Sequence, residues 1–378
     1  MAVHVPIQPT VFDWARTKIA LTDEELVKKF PKFKQWESGE AEPTLKQARE
    51  FAKLAHIPFG RLLMSEPSGE DVGVPDFRTV RNRYVDDISP NLREVIVSAQ
   101  NRLGWYSDFS LEVGVEPPEI VGLVPQASNP SEAARLAREH LGLGHSNAIP
   151  GRDKVSALVG VIEESGILVS RNSIVGNATN RPLDVEEFRG FTLLDDGFGL
   201  IFVNTRDAKA AQLFSLAHEL GHIVRGQAGI SDDSDQVSIE SWCNRFASAF
   251  IAPEALVRKH FDAEQSVLDN TNGMAVKVGL SREALVLRLV EIGLAAQGDA
   301  NELIPLFRAS STATDSKKSK GGPSRPVLVK SRVGKRFFKS VVNATKAGML
   351  PEQDAARFLG AANYDSFQKL IATNGAVG

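Results

Sequence analysis

The sequence predicts an α+β fold: a mostly helical, multi-domain chain with a small antiparallel sheet near its middle. Three observations carry that expectation. The chain has 378 residues, 42% of them hydrophobic and 24% charged, an ordinary composition for two or three folded domains with sizeable cores. Apolar residues recur at helical spacing over most of its length, bounded by capping residues. Between 167 and 204 the pattern changes to short β-rich runs, "ILVS", "FRGFTLL" and "FGLIFVN". The last two are joined through "DDG", a hairpin signal.

Composition also excludes some function classes. A net charge of −3 offers no bulk attraction to nucleic acid, so such binding would need a local patch. The single cysteine, Cys243, rules out an internal disulfide and fits a reducing compartment. The start, "MAVHVPIQPTVFDWARTK", lacks the apolar core of a signal peptide, and no run approaches the ~18 apolar residues of a membrane span. A cytoplasmic protein with no membrane partner is expected.

The elements follow in order. Residues 11–64 read as several short helices. Thr22 caps one, with Glu25 completing a capping box. Thr44, after Pro43, starts another, whose buried face is Leu45, Ala48, Phe51, Ala52 and Ala55. "SEPSGEDVGVP" at 65–75 marks a linker, and a longer helix follows Pro90. Asn129, Pro130 and Glu132 open the next helix as cap, first-turn proline and box partner. "RDKVSALVGVIEESG" is a further amphipathic helix leading into the strands. From about Lys209 comes a helix, then an acidic loop "GISDDSD", then a second helix ending near Pro253. Two short helices follow, with Ser281 capping the second. "SSTATDSKKSKGGPSRP" reads as a polar loop or linker, and the chain closes on helices. These signals divide it into a helical domain over 1–70, a helical connecting segment over 71–129 and a central domain over 130–265. A helix-turn-helix-like segment over 266–310 and a basic linker with C-terminal helices over 311–378 complete it. No repeat of solenoid period is present.

The chemistry concentrates in "LFSLAHELGHIVRG", residues 213–226. On a helix, positions four apart lie one turn apart and differ by about 40° in azimuth. His218 and His222 can therefore present imidazole nitrogens to one point, as a divalent metal requires. Glu219 stands beside that stripe, where a carboxylate can act on water without binding the metal, as in H-E-x-x-H metallopeptidases. Leu213, Leu216, Leu220 and Val224 form the face that docks into the core. Gly221 costs the helix about 1 kcal/mol against alanine, which a close neighbour would explain. The competing reading is an amphipathic helix with two incidental histidines; the surrounding order of strand, hairpin and helix favours the metal site.

A catalytic zinc needs a third protein ligand and an open position. The longer pattern H-E-x-x-H-x-x-G-x-x-H fails, because Arg225 and Ala228 occupy its glycine and third histidine. Candidates for the third ligand are Asp232, Asp233, Asp235, Glu240, Cys243 and His260. The aspartates crowd the loop. Glu240 lies early in the following helix with Asn244 one turn below, so an antiparallel helix could aim both inward. The competing reading is a surface carboxylate favoured by the helix dipole; the chemistry favours the ligand.

"AHELGHIV", followed by "IESWCNRFASAFIAP", resembles the ImmA/IrrE zinc metallopeptidases. Their second signature matches here at Glu240, Asn244, Phe246, Ala247 and Pro253, and departs at Trp242 and Cys243. The resemblance implies a minimal zincin-like peptidase core. It implies one Zn²⁺ per chain held by His218, His222 and Glu240, with Glu219 carrying the proton. "VPDFRTV", the helix ending in "RLGWY", and "VGLSREALVLRLVEIGL" resemble the family's flanking segments more loosely. The strand "FGLIFVN" is the expected edge for an extended peptide. No tyrosine stands nearby in sequence to stabilise an oxyanion, and the sequence does not name the group that does; His260 is a guess.

The N-terminal "WESGEAEPTLKQAREFAKLAHIPFGRLL" resembles the end of an Xre-type helix-turn-helix domain. Only "KKFPKFKQ" separates Val27 from Trp36, too short for a full recognition helix, so a structural or partner-binding module is expected. Lys317 to Lys346 holds ten Lys/Arg and no Asp or Glu, either a solvated basic face or a weak contact to DNA or an acidic partner. By resemblance the substrate is a protein, a helix-turn-helix repressor or a cognate toxin, antitoxin or mobile-element component. The rival reading is a non-catalytic regulator whose zinc site is structural, closed by a fourth ligand such as Cys243.

Overall fold

The computed structural model describes residues 4–17, 19, 22–55, 59–66, 88–226, 233–311, 325–361 and 364–372. The chain forms two compact units, residues 1–74 with 88–96 and residues 75–87 with 97–378. Most of the linker expected at 65–75, "VPDFRTV" at 74–80 and most of the polar stretch at 310–326 lie outside the described residues.

In the first unit, α1 (Pro9–Thr17), α2 (Asp23–Lys29), α3 (Phe33–Glu37) and α4 (Leu45–Leu54) precede a 3-10 turn at Phe59–Leu63. Thr22 Oγ1 accepts from the Glu25 N–H at 3.3 Å while the Glu25 carboxylate accepts from the Thr22 N–H at 2.9 Å. Two backbone donors with no helical partner are thus satisfied. Thr44 and Gln47 repeat the device at the start of α4. Phe12, Phe30, Phe33, Trp36 and Phe51 fill the core, with Phe12 and Phe51 4.6 Å apart between ring centroids. The five-residue α3 spends Phe33 and Trp36 on that core, and its Lys34 is ion-paired to Asp23 at 2.9 Å and Glu37 at 3.4 Å.

In the second unit, α6 (Pro130–His140) and α7 (Lys154–Glu164) lead into the strands, after α5 (Pro90–Glu112), whose residues through Ile96 group with the first unit. Asn129 caps α6 by accepting from the Ser131 and Glu132 N–H groups. The expected return bond from Glu132 is replaced by a pair with Arg135 at 2.6 Å.

The strands are β1 (Leu168–Asn172), β2 (Ile174–Val175), β3 (Ala178–Pro182), β4 (Gly190–Asp195) and β5 (Phe198–Asn204). β2 and β3 form a separate ribbon, and the main sheet has the order β1-β5-β4. β4 and β5 pair antiparallel across Asp196 (φ 46°) and Gly197 (φ 81°), the positive dihedrals of a two-residue type I′ hairpin turn. β1 pairs parallel to β5, so the sheet is mixed rather than antiparallel. Only the hairpin constrains direction locally; the residues between β1 and β4, including the ribbon, return the chain before it re-enters. β5 is therefore the central strand, buried along its whole length, and cannot be the edge expected for it. α14 (Arg325–Val333) packs along β1, and β4 has a strand neighbour on one side only among the described residues.

α8 (Lys209–Arg225) packs on β4, β5, α7 and α9 (Asp233–Ile251). Leu213, Leu216, Leu220 and Val224 are all buried, each contributing about 1.5–3 kcal/mol relative to exposure. Asp233 and Asp235 fall in the first turn of α9 rather than in a loop, where the helix dipole favours acidic residues. α10 (Glu254–His260), α11 (Val267–Val278), α12 (Arg282–Glu291) and α13 (Gln297–Ser311) follow, and the Ser281 hydroxyl caps α12 at the Ala284 N–H. Among the described residues no helix is long and apolar enough to cross a membrane.

α15 (Lys335–Lys346), α16 (Glu352–Phe358) and α17 (Tyr364–Ala372) end the chain. Several described residues of the basic stretch pack on or bond to the rest of the unit. Phe337 and Phe338 are buried, Lys330 lies over the Phe338 ring, and Arg332 donates to the Asn177 side chain. Arg336 donates to the Tyr106 hydroxyl and the Glu163 carbonyl, both at 2.8 Å. The buried Glu163 carboxylate accepts from the Arg336 N–H at 3.0 Å, so a side chain of α7 caps α15. Glu163→Ala is expected to destabilise the protein by about 1–3 kcal/mol, read as a lowered urea midpoint; an unchanged midpoint would remove this capping role.

Candidate active site

The site begins with two imidazoles on consecutive turns of α8. His218 Nε2 and His222 Nε2 stand 3.3 Å apart. α9 crosses close above them because residue 221 has no side chain: a Cβ there would lie 3.1 Å from Phe246 Cδ1 and 3.3 Å from Cys243 Sγ. That packing accounts for a helical glycine. The close crossing brings Glu240 and Asn244, one turn apart on α9, to the histidines. Glu240 Oε2 is 3.2 Å from His218 Nε2, and its Oε1 is 3.4 Å from His222 Nε2. Asn244 Oδ1 is 3.0 Å from His218 Nδ1. An amide oxygen only accepts, so Nδ1 carries a proton; Nε2 carries a second one toward Glu240 in the charged ring and a lone pair in the neutral ring. His222 Nδ1 is buried without a hydrogen-bond partner among the described residues, so that ring is oriented by packing.

Glu219 points the other way, toward the sheet. Its carboxylate Oε2 accepts from the Thr192 hydroxyl on β4 at 2.8 Å, and the residue is only 7% exposed. Burial raises its carboxyl above the ordinary range, outweighing the opposing influence of both histidines and of Thr192. Glu240, whose side chain is 49% exposed, behaves oppositely: partial desolvation pushes its carboxyl up, but His218 and His222 prevail and hold it far below. For His218, desolvation is outweighed by Glu240, Glu219 and Asn244, and its imidazole is raised. The pair Glu219 and Glu240 is thus a more basic, buried carboxylate beside a firmly ionised one.

A second donor set shares the same histidines, since the Cys243 ligand atom also lies within 4.8 Å of theirs. Cys243 is fully buried in the seam between α8 and α9, and desolvation, with Glu240 and Glu219 adding, pushes its thiol well up. Glu240, whose oxygens lie 3.2–3.4 Å from the two imidazoles, and Cys243, in the seam beside them, are thus the two groups placed to join the histidines. Of the other candidates, Asp232 lies outside the described residues, Asp233 and Asp235 begin α9, and His260 is exposed at the end of α10. Trp242 stacks on Phe246, donates to the Ser128 carbonyl at 2.6 Å and carries Arg225 over its ring. Its departure from the family pattern is therefore a packing solution.

Two residues absent from the sequence reading stand at the site. Thr192 touches Glu219, and Gly190 faces the same carboxylate, as a Cβ there would meet Glu219 Cγ and Oε1 at 3.1 Å. No local signal marks them. Two imidazoles, a facing carboxylate and a buried carboxylate alongside can together bind a divalent cation and move a proton.

Residues 162–290 match the family model described as Peptidase_M78, the IrrE N-terminal-like domain. No curated protein matches the chain. The matched span runs from the end of α7 through the sheet, α8 and α9 to α12, and contains every residue of the site. Residues 162–290, about a third of the chain, are thus similar to the IrrE N-terminal-like peptidase domain.

Proposed function

We propose that the protein is a zinc-dependent endopeptidase acting on a protein partner. His218, His222 and Glu240 hold one Zn²⁺ per chain, and Glu219 carries the proton. The supporting observation is that His218 Nε2 and His222 Nε2 stand 3.3 Å apart, with one Glu240 oxygen 3.2 Å from the first and the other 3.4 Å from the second. Tetrahedral ligands at 2.0–2.1 Å from zinc are separated by about 3.3–3.4 Å, because a tetrahedron's edge is about 1.6 times its radius. Asn244 acts as the outer partner that fixes the His218 tautomer.

Zinc supplies Lewis acidity at this point, polarising a carbonyl and making water acidic near neutral pH. The remaining work falls to the chain. Glu219 accepts a proton from the attacking water and returns it to the leaving amine. Oε1 is its working oxygen, since Oε2 is engaged by Thr192. An extended peptide pairs along β4, the strand that among the described residues has a strand neighbour on one side only, rather than along β5. The family resemblance makes a helix-turn-helix repressor, or a component of a toxin–antitoxin or mobile-element system, the substrate class to test first. Chelator-sensitive cleavage of such a partner, restored by zinc and lost in Glu219→Gln, tests the assignment. Zinc-loaded protein that cleaves no partner captured by Glu219→Gln would leave only the regulatory alternative.

The first unit serves as a partner-binding module. A helix that commits Phe33 and Trp36 to the core and Lys34 to ion pairs has little left to read bases. DNA retention is accordingly expected to be sequence-independent and to fall steeply between 50 and 200 mM salt, by about 10³-fold or more if six or more phosphates are contacted. A sequence-specific footprint stable to that change would contradict this role.

A further inference from the structure

We propose that Thr192 and Gly190 of β4 jointly position the Glu219 carboxylate, one holding an oxygen and the other leaving room for its partner. The inference rests on the reading of Glu219 as proton carrier. The Thr192 hydroxyl lies 2.8 Å from Glu219 Oε2 and 3.1 Å from the Glu219 carbonyl oxygen. One hydroxyl thus spans the side chain and main chain of a single residue, tying the carboxylate's rotamer to the axis of α8. No other hydrogen bond among the described residues reaches that carboxylate, so its orientation depends on this contact. Gly190 supplies space: a Cβ would come within 3.1 Å of both Glu219 Cγ and Oε1, and within 2.9 Å of the Phe202 carbonyl.

The two residues are two apart on one strand, so both present to the same face. Their register is set by the hairpin, with Gly190 opposite Val203 and Thr192 opposite Ile201. A slip of one residue would turn Thr192 away and bring Phe191 or Leu193 to the carboxylate. β4 thereby has two tasks, offering an open edge to a peptide and fixing the proton carrier beneath it. Both are referenced to the same backbone, so peptide and carboxylate are aligned by construction.

The test uses full-length zinc-loaded protein as wild type, Thr192→Val and Thr192→Ser, with Thr192→Ala as a replacement should the valine variant not fold. Three quantities are read: zinc per chain, the Glu219 carboxylate position in crystal structures, and kcat and KM on a mixture of internally quenched peptides. Thr192→Val should retain zinc, displace the carboxylate and lower kcat about ten- to hundredfold at similar KM, the loss expected for a buried hydrogen bond to an ionised group. Thr192→Ser should restore both position and rate. A carboxylate unmoved in Thr192→Val, or an unchanged kcat, would overturn the proposal. If the variant's carboxylate is displaced while wild type cleaves neither these peptides nor a partner captured by Glu219→Gln, positioning stands and the peptidase reading fails.

Discussion

Replacing Glu219 by Gln is expected to abolish peptide hydrolysis while leaving fold and zinc content intact. The amide matches the carboxylate in shape, and its oxygen can still accept from the Thr192 hydroxyl that now sits 2.8 Å from Oε2. What it cannot do is take a proton. General acid–base assistance contributes about 10²–10⁴-fold, and the loss should appear in kcat, since the proposed role of Glu219 is to move the proton of the reacting water rather than to bind the peptide. Zinc analysis, circular dichroism and turnover on one preparation check it. Wild-type turnover in this variant would place the proton carrier elsewhere.

Glu240→Gln should fail differently, losing metal first. Glu240 is the anionic member of the proposed donor set, and its oxygens lie 3.2 and 3.4 Å from the two imidazole nitrogens. Removing its charge leaves a divalent cation with two neutral imidazoles and an amide. Loss of an outer partner typically costs a metal site ten- to hundredfold in affinity, so loss of the anionic ligand should cost at least about a hundredfold. His218→Ala and His222→Ala should be more severe still. Competition titration with a chromogenic chelator gives the affinities. Undiminished zinc affinity in Glu240→Gln would shift attention to Cys243, the other donor within reach of the histidine pair.

The contrast between these variants follows from what each residue's neighbourhood makes of it, and that neighbourhood was only partly legible in the sequence. Features decided within a turn or two were readable. They include the cap at Thr22, the hairpin at Asp196 and Gly197, the start of α8 at Lys209, its apolar face and the pair at 218 and 222. Glu240 was readable as a candidate because Asn244 shares its helix face, though the crossing that delivers both depends on contact between Gly221 and Phe246. Features set by long-range register were not readable. Thr192 is a buried threonine between the buried Phe191 and Leu193, and nothing within its own segment distinguishes it from a core position. Its role appears only when the hairpin is laid against α8. The parallel pairing of β1 with β5 and the capping of α15 by Glu163 are likewise products of distant chain segments. β2 is only two residues, Ile174–Val175, and β3 is short and largely polar, so neither has the periodicity that reveals a strand. The loop assigned to Asp233 and Asp235 misread acidic residues that suit a helix's first turn.

The most direct test of the central claim is an anomalous difference map from crystals of the native protein, collected on either side of the zinc absorption edge. The account predicts one strong peak per chain, at about 2.0–2.2 Å from His218 Nε2, His222 Nε2 and a Glu240 oxygen. It should have no bond to Cys243 and one coordination position free of protein atoms. A peak bonded to Cys243 Sγ, or a site closed by four protein ligands, would contradict the account and favour a structural metal in a non-catalytic regulator.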